Sequence, residues 1–151
     1  MRFRQASAED LAPIVGLLER SELPTDDCRE RIDGFVLLED GENIIATGGL
    51  ELHGKEGLVR SIVVVPDRRG SGIGRCVCAE LEKRAGAAGI ERLFLLTDSA
   101  VPYFLGLGYQ LLRRADTPPE IRATKQFSSL CPGSAKVMFR RLRCTPAGGT
   151  C

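Results

Sequence analysis

The chain has 151 residues, 43% of them hydrophobic and 27% charged, with a formal net charge of +1. That length suffices for one domain with a real core, and near-neutrality argues against non-specific nucleic-acid binding. No apolar run approaches the ~20 residues a membrane-spanning helix needs, and the N-terminus MRFRQASAED lacks the apolar core of a signal peptide, so a cytoplasmic location without membrane partners is expected.

Met1–Gln5 suits a short first strand. Ser7 can cap a helix with Glu9 and Asp10 in its first turn. Leu11, Ile14, Val15 and Leu18 supply its apolar face, and Pro13 predicts a kink or a shifted start. Ser21–Pro24 breaks this helix, and Thr25 can cap a second short one ending near Gly34. Phe35–Glu39 and Asn43–Leu52 read as strands joined by a tight turn at Asp40-Gly41. A turn over residues 53–57 leads into Leu58–Val65, an almost unbroken β-branched run suited to a central strand.

After Pro66 the pattern changes. Arg68-Arg69-Gly70-Ser71-Gly72-Ile73-Gly74 is a glycine-rich turn, followed by an amphipathic helix to about Ala87 carrying Val77, Leu81 and Ala85. Free amides at a helix start, the helix dipole and two arginines suit phosphate oxygens. The Walker pattern fails because Arg75-Cys76 follows Gly74, and the dinucleotide fingerprint fails because the spacing is G-x-G-x-G. Arg92–Thr97 is a further apolar strand, and a strand–helix–strand crossover of this length implies parallel pairing. A short helix around Ala100–Leu107, a strand Tyr109–Arg113, a loop at Thr117-Pro118-Pro119 and a last strand Lys136–Leu142 complete the reading. Residues 1–143 are expected to form one domain and 144–151 a disordered tail.

Residues 113–143 carry eight basic residues against Asp116 and Glu120. They could receive an anionic substrate or form a solvated face. The six cysteines include no C-x-x-C pair, and His53 is the only histidine, so no metal is expected. Reduced thiols follow from the absence of a secretion signal. Cys131 stands in a Cys-Pro motif, either as a buried structural thiol or as a soft ligand.

The spacing Arg69, Gly72, Gly74 resembles the acyl-CoA pyrophosphate loop (R/Q-x-x-G-x-G/A) of the GNAT superfamily of N-acetyltransferases. Residues 100–109 (AVPYFLGLGY) resemble its second signature, A-x-x-F-Y-x-x-L-G-F. The similarity covers nearly all of residues 1–142. Leu23–Asp27 (LPTDD), Gly57–Val64, Leu93–Ala100 and Gln126–Met138 further resemble the acetyltransferases of bacterial arsenic-resistance operons.

The resemblance implies a mixed α/β sheet of the GNAT acyl-CoA N-acyltransferase fold, with antiparallel N-terminal strands and a splayed parallel pair at the centre. It implies acetyl-CoA as cosubstrate, direct attack by a small, anionic amine, and a detoxification context. A homodimer is compatible with it. The amides of Val63 and Val65 would serve as oxyanion donors, and Arg68, Arg69, Gly70, Ser71, Gly72, Ile73 and Gly74 would hold the pyrophosphate. Thr97 and Phe104 would border the cofactor. The usual acid, a tyrosine, falls at Phe104, and Tyr103 lies one residue earlier, about 100° round the helix. Tyr103 is therefore the candidate acid and Phe104 a packing ring. Glu51 is the candidate base or a surface residue paired with Arg60. Arg60 and Ser61 interrupt an apolar strand, so Arg60 either meets a substrate carboxylate or sits in a structural ion pair. Phe104 in place of the tyrosine also leaves open a catalytically weak protein that holds CoA or an arsenical as a sensor.

Overall fold

The computed structural model describes residues 1–130 and 133–142, without the side chains of Ser129 and Leu130. The elements run β1 (Arg2–Gln5), α1 (Leu11–Arg20), β2 (Phe35–Asp40), β3 (Asn43–His53), β4 (Glu56–Val64), α2 (Ile73–Ala87), β5 (Arg92–Thr97), α3 (Val101–Gly106), β6 (Gln110–Leu112), α4 (Pro119–Arg122) and β7 (Lys136–Arg141). One seven-stranded sheet has the order β1-β2-β3-β4-β5-β7-β6. Every neighbouring pair is antiparallel except β4 with β5. The expected mixed sheet, hairpin meander and parallel crossover are all present. No helix among the described residues is long and apolar enough to cross a membrane.

Strand alternation puts a helix on each face of the sheet. Val36 and Leu38 of β2 join Val77, Leu81 and Ala85 of α2 in one core. Phe35 and Leu37 face the other way and join Ile14, Leu17 and Leu18 of α1. The approach of α2 depends on Gly48: a Cβ there would lie 2.8 Å from Val77 Cγ1. A third cluster packs Leu58, Phe94 and Ile121 under Phe139.

Two local expectations change. The helix expected between Thr25 and Gly34 is a series of turns that ends in a single 3-10 turn at Ile32–Gly34. Its buried Asp27 serves a tertiary contact instead of a helical face. The loop at Thr117–Pro119 leads straight into α4, with Pro119 at the first helical position, where its fixed φ fits and its missing donor costs nothing. Cys131 and the tail 144–151 lie outside the described residues.

The N-terminus is tied down by a charge pair. Arg4 donates to both carboxylate oxygens of Asp10, at 2.7 and 2.9 Å, and Ser7 N–H donates to Asp10 Oδ2 at 2.8 Å. The guanidinium holds the Asp10 carboxyl down at about 2, against an ordinary 3.8. A depressed carboxyl contributes stability that is fully present above its unfolded value and lost as pH falls through its folded one. Asp10→Asn should therefore be less stable than wild type at neutral pH. Urea titrations should show that gap closing as pH drops from about 4 towards about 2.

Candidate active site

The strands β4 and β5 pair only at Glu56–Arg92, Gly57–Leu93 and Leu58–Phe94. Beyond that point β4 stays with β3 and β5 stays with β7, so the two part. The cause lies in β4. Val63 opposes Thr47, but Arg60 opposes Gly49, so Ser61 and Ile62 face Gly48 alone. This is a β-bulge, and Ser61 takes φ +59° to make it. A non-glycine residue in that region costs about 1–3 kcal/mol. The strain redirects the end of β4 and opens a cleft of about 900 Å³ between the strands.

The bulge also decides which amides face the gap. Val65 N–H donates to Ile45 O at 2.9 Å, so it belongs to the β3 ladder. Val63, two residues earlier and opposite Thr47, has the same parity and also faces β3. Val63 and Val65 are therefore corrected as oxyanion donors. Val64 has the opposite parity, and its carbonyl accepts Arg69 Nε at 2.9 Å on the side away from β3. Its N–H points the same way, into the gap.

The glycine-rich turn closes one end of the cleft. Gly70 and Gly72 have φ +80° and +86°, and a Cβ on either would meet nothing within 4 Å. Cys76 N–H to Gly72 O is the first rung of α2, so the amides of Ile73, Gly74 and Arg75 have no helical acceptor. Gly70, Gly72, Ile73, Gly74 and Arg75 all line the cleft. Open space above the glycines, free amides and the positive end of a 15-residue helix together fit a pyrophosphate. The side chains are more committed than the sequence implies. Arg68 Nη2 meets Asp40 at 2.7 Å and holds that carboxyl below the ordinary range. Ser71 Oγ donates to Arg68 O at 2.6 Å.

Tyr103 and Phe104 separate as expected. Phe104 is buried, edge-on to Tyr109 at 5.7 Å between centroids. Tyr103 is 44% exposed and lines the cleft, and burial of its remainder, with Cys78 nearby, pushes the phenol above its ordinary value. The phenol thus stays protonated at neutral pH. Its hydroxyl lies 2.7 Å from where a Cβ on Gly74 would stand. Gly74→Ala should therefore displace the Tyr103 ring, although alanine favours the helix by up to about 1 kcal/mol. We expect a crystal structure of Gly74→Ala to show the ring moved. Thr97 Oγ1 accepts Ala100 N–H at 3.0 Å, so its hydroxyl secures the entry to α3.

Arg60 proves to be the ion pair. Its Nη1 and Nη2 meet the two oxygens of Asp27, both at 2.6 Å, and Nη1 meets Glu51 Oε2 at 3.1 Å. All three side chains are 1% exposed. Burial opposes the charge on Arg60, but the bonds to Asp27 and Glu51 outweigh it and raise its pKa. The guanidinium is therefore engaged within the chain, although Arg60 also borders the cleft. Glu51 is corrected likewise. It is not among the cleft residues, and its carboxylate also meets His53 Nε2 at 3.0 Å and Arg31 at 3.5 Å. Its carboxylate is thus taken up by three basic side chains and buried away from the cleft lining. Ser61 does line the cleft, at the bulge.

Part of the basic segment is paired, two of its cations across the fold and one locally. Lys125 meets Glu30, Arg113 meets Asp116, and Arg140 meets Glu82, each within 2.8 Å. Asp27, the amide of Val64 and the turn Ser21–Pro24, which forms a cleft wall, were missed as site features. The motif Leu23–Asp27 drew notice only as a resemblance, and nothing local marks Asp27 as the partner of a residue 33 positions later. Among the described residues, no group of three His, Cys, Asp or Glu side chains could hold a metal.

The acetyltransferase (GNAT) family profile matches residues 5–114. An amino-acid acetyltransferase of Ralstonia nicotianae is 33% identical over 129 residues, covering 80% of this chain and 29% of that protein. That of Pasteurella multocida is 30% identical over the same length and coverage. The chain thus spans under a third of the curated relatives it matches. N-acetylglutamate synthase from Neisseria gonorrhoeae, solved with coenzyme A and N-acetyl-glutamate, superposes with TM-score 0.83 at 23% identity, over 94% of this chain and 35% of that one. Rv2747 from Mycobacterium tuberculosis, solved with CoA and NLQ, gives TM-score 0.79 at 18% identity, over 95% of this chain and all of the other. Loop, splayed strands and matched residues agree: the chain belongs to the acetyltransferase (GNAT) family.

Proposed function

We propose that the protein is an acetyl-CoA-dependent N-acetyltransferase acting on the amino group of a small anionic amine, of the glutamate class. The observation that carries this reading is the bulged, splayed β4/β5 cleft ending on the free amides of α2. Bound acetyl-CoA supplies the acyl group as a thioester. The amides of Ile73–Arg75 and the open glycines hold its pyrophosphate. Val64 N–H stands where negative charge on the carbonyl oxygen needs a donor. Tyr103, protonated and exposed to the cleft, gives a proton to the leaving thiolate. The amine enters beside Ser21–Pro24. Relatives named amino-acid acetyltransferases support the acceptor class. The resemblance of Leu23–Asp27 and Gln126–Met138 to arsenic-operon enzymes adds arsenic-bearing glutamate analogues to the acceptors worth testing.

The test is release of free CoA from acetyl-CoA with glutamate, its phosphinate and arsinate analogues and a panel of neutral and basic amines. Turnover with the anionic acceptors, and little with the others, is expected. Tight CoA binding without turnover on any amine would replace the enzyme with a CoA-holding protein.

A further inference from the structure

Among the described residues only Glu22 and Ser61 are non-glycine residues with positive φ, at +58° and +59°. Both line the cleft, Glu22 on the turn after α1 and Ser61 at the bulge of β4. Strained backbone persists where surrounding structure over-determines it, and one buried cluster joins the segment after α1 to β4. Asp27, five residues beyond Glu22, grips Arg60, the residue before Ser61, through two bonds of 2.6 Å. Arg60 Nε reaches on to Ser61 Oγ at 3.1 Å, Nη1 is braced by Glu51 at 3.1 Å, and the guanidinium lies 5.6 Å above the Phe35 ring. The other end of the turn is fixed by Leu23 N–H to Leu18 O at 2.9 Å.

We infer that the Asp27–Arg60–Glu51 cluster is a clamp that sets the gap between the Ser21–Pro24 turn and the β4 bulge, making Asp27 and Arg60 positioning residues for the acceptor amine. This rests on the reading above only in taking that gap as the amine's entrance. Stability alone does not account for such a cluster, because apolar residues of the same volume would serve as well or better. What apolar packing lacks is direction. A bidentate arginine–carboxylate pair fixes both distance and plane, and here it fixes the one distance on which an acceptor wedged between two strained turns would depend. The pyrophosphate end of the cleft, on α2, has no contact with this cluster in the hydrogen bonds of Arg60, Asp27 or Glu51.

The experiment uses the full chain with Asp27→Asn and Asp27→Glu. Asparagine keeps the shape and removes the charge, while glutamate keeps the charge and moves it by a methylene. Each should raise KM for the amine by about tenfold or more, with kcat altered much less and CoA affinity and stoichiometry unchanged. Hydrogen exchange should quicken in residues 21–24 and 61–64 but not in the first turn of α2. A wild-type amine KM in Asp27→Glu would overturn the clamp. So would loss of kcat in proportion to CoA-binding sites at constant KM, the pattern of a residue that only holds the fold. Should Asp27→Asn fail to fold, Asp27→Glu carries the decision alone. If the wild type acetylates no amine, the enzymatic reading fails. Exchange then decides the clamp by itself, since unchanged rates in both segments would overturn it.

Discussion

Gly72→Val should weaken coenzyme A binding at least about tenfold and leave the fold intact. Gly72 stands at φ +86° immediately before α2, in the region that β-branched residues rarely occupy. No neighbour lies within 4 Å of an added Cβ, so no collision contributes. The effect acts wholly through the backbone: valine in this conformation costs about 1–2 kcal/mol, and turning the peptide relieves it. Turning the peptide swings away the amides that α2 leaves unpaired, which are the anion site itself. We expect CoA affinity to fall at least about tenfold, read by calorimetry, with the thermal midpoint lowered by only a few degrees. Gly86→Ala is the control. That glycine also meets nothing within 4 Å but has an ordinary φ inside α2. Alanine there should stabilise by up to about 1 kcal/mol and leave CoA affinity alone. Undiminished affinity in Gly72→Val would remove the turn from the cofactor site.

What could be read in the chain beforehand follows from how locally it is written. The strand–turn–helix of residues 58–87 is contiguous, and its apolar period, its proline stop and its glycines each report on the same few residues. The crossover to Arg92–Thr97 and the buried role of Phe104 were legible for the same reason. The bulge was not. It needs one extra residue in β4 opposite Gly48, and Ser61, not a glycine, takes the positive φ, so no turn residue announces it. The family resemblance places Val63 and Val65 as oxyanion donors, whereas the register past the bulge selects Val64. Asp27 and Arg60 are 33 residues apart and bond through tertiary packing that no periodicity encodes. Glu51 is a candidate base only through the family resemblance, which places a carboxylate near the end of the strand before the central one. In the fold, Arg60, His53 and Arg31 already claim its carboxylate.

Arg60→Met should be the most damaging single change to stability. The substitution is close in length and fills the space over Phe35, so no large cavity forms. It leaves Asp27 and Glu51 side by side, 1% exposed, with their shared cation gone. Breaking a buried pair in this way costs about 3–5 kcal/mol, because the remaining charges can be neither solvated nor paired. Among the described residues Arg31 and His53 pair with the Glu51 carboxylate but not with that of Asp27, which Arg31 meets only through its backbone N–H at the Asp27 carbonyl, so relief is confined to one of the two acids. Urea unfolding of Arg60→Met should give a loss in that range with an unchanged slope. The triple variant Arg60→Met, Asp27→Asn, Glu51→Gln removes the stranded charges as well and should recover a large share of the loss. If the single variant loses less than about 1 kcal/mol, the value of an exposed surface pair, then water reaches the cluster and the gap it spans is softer than its geometry implies. Recovery of stability in the triple variant without recovery of amine KM would separate the two roles of Arg60: neutralising buried charge, which methionine can be spared by neutral partners, and holding two strained turns at a fixed distance, which it cannot.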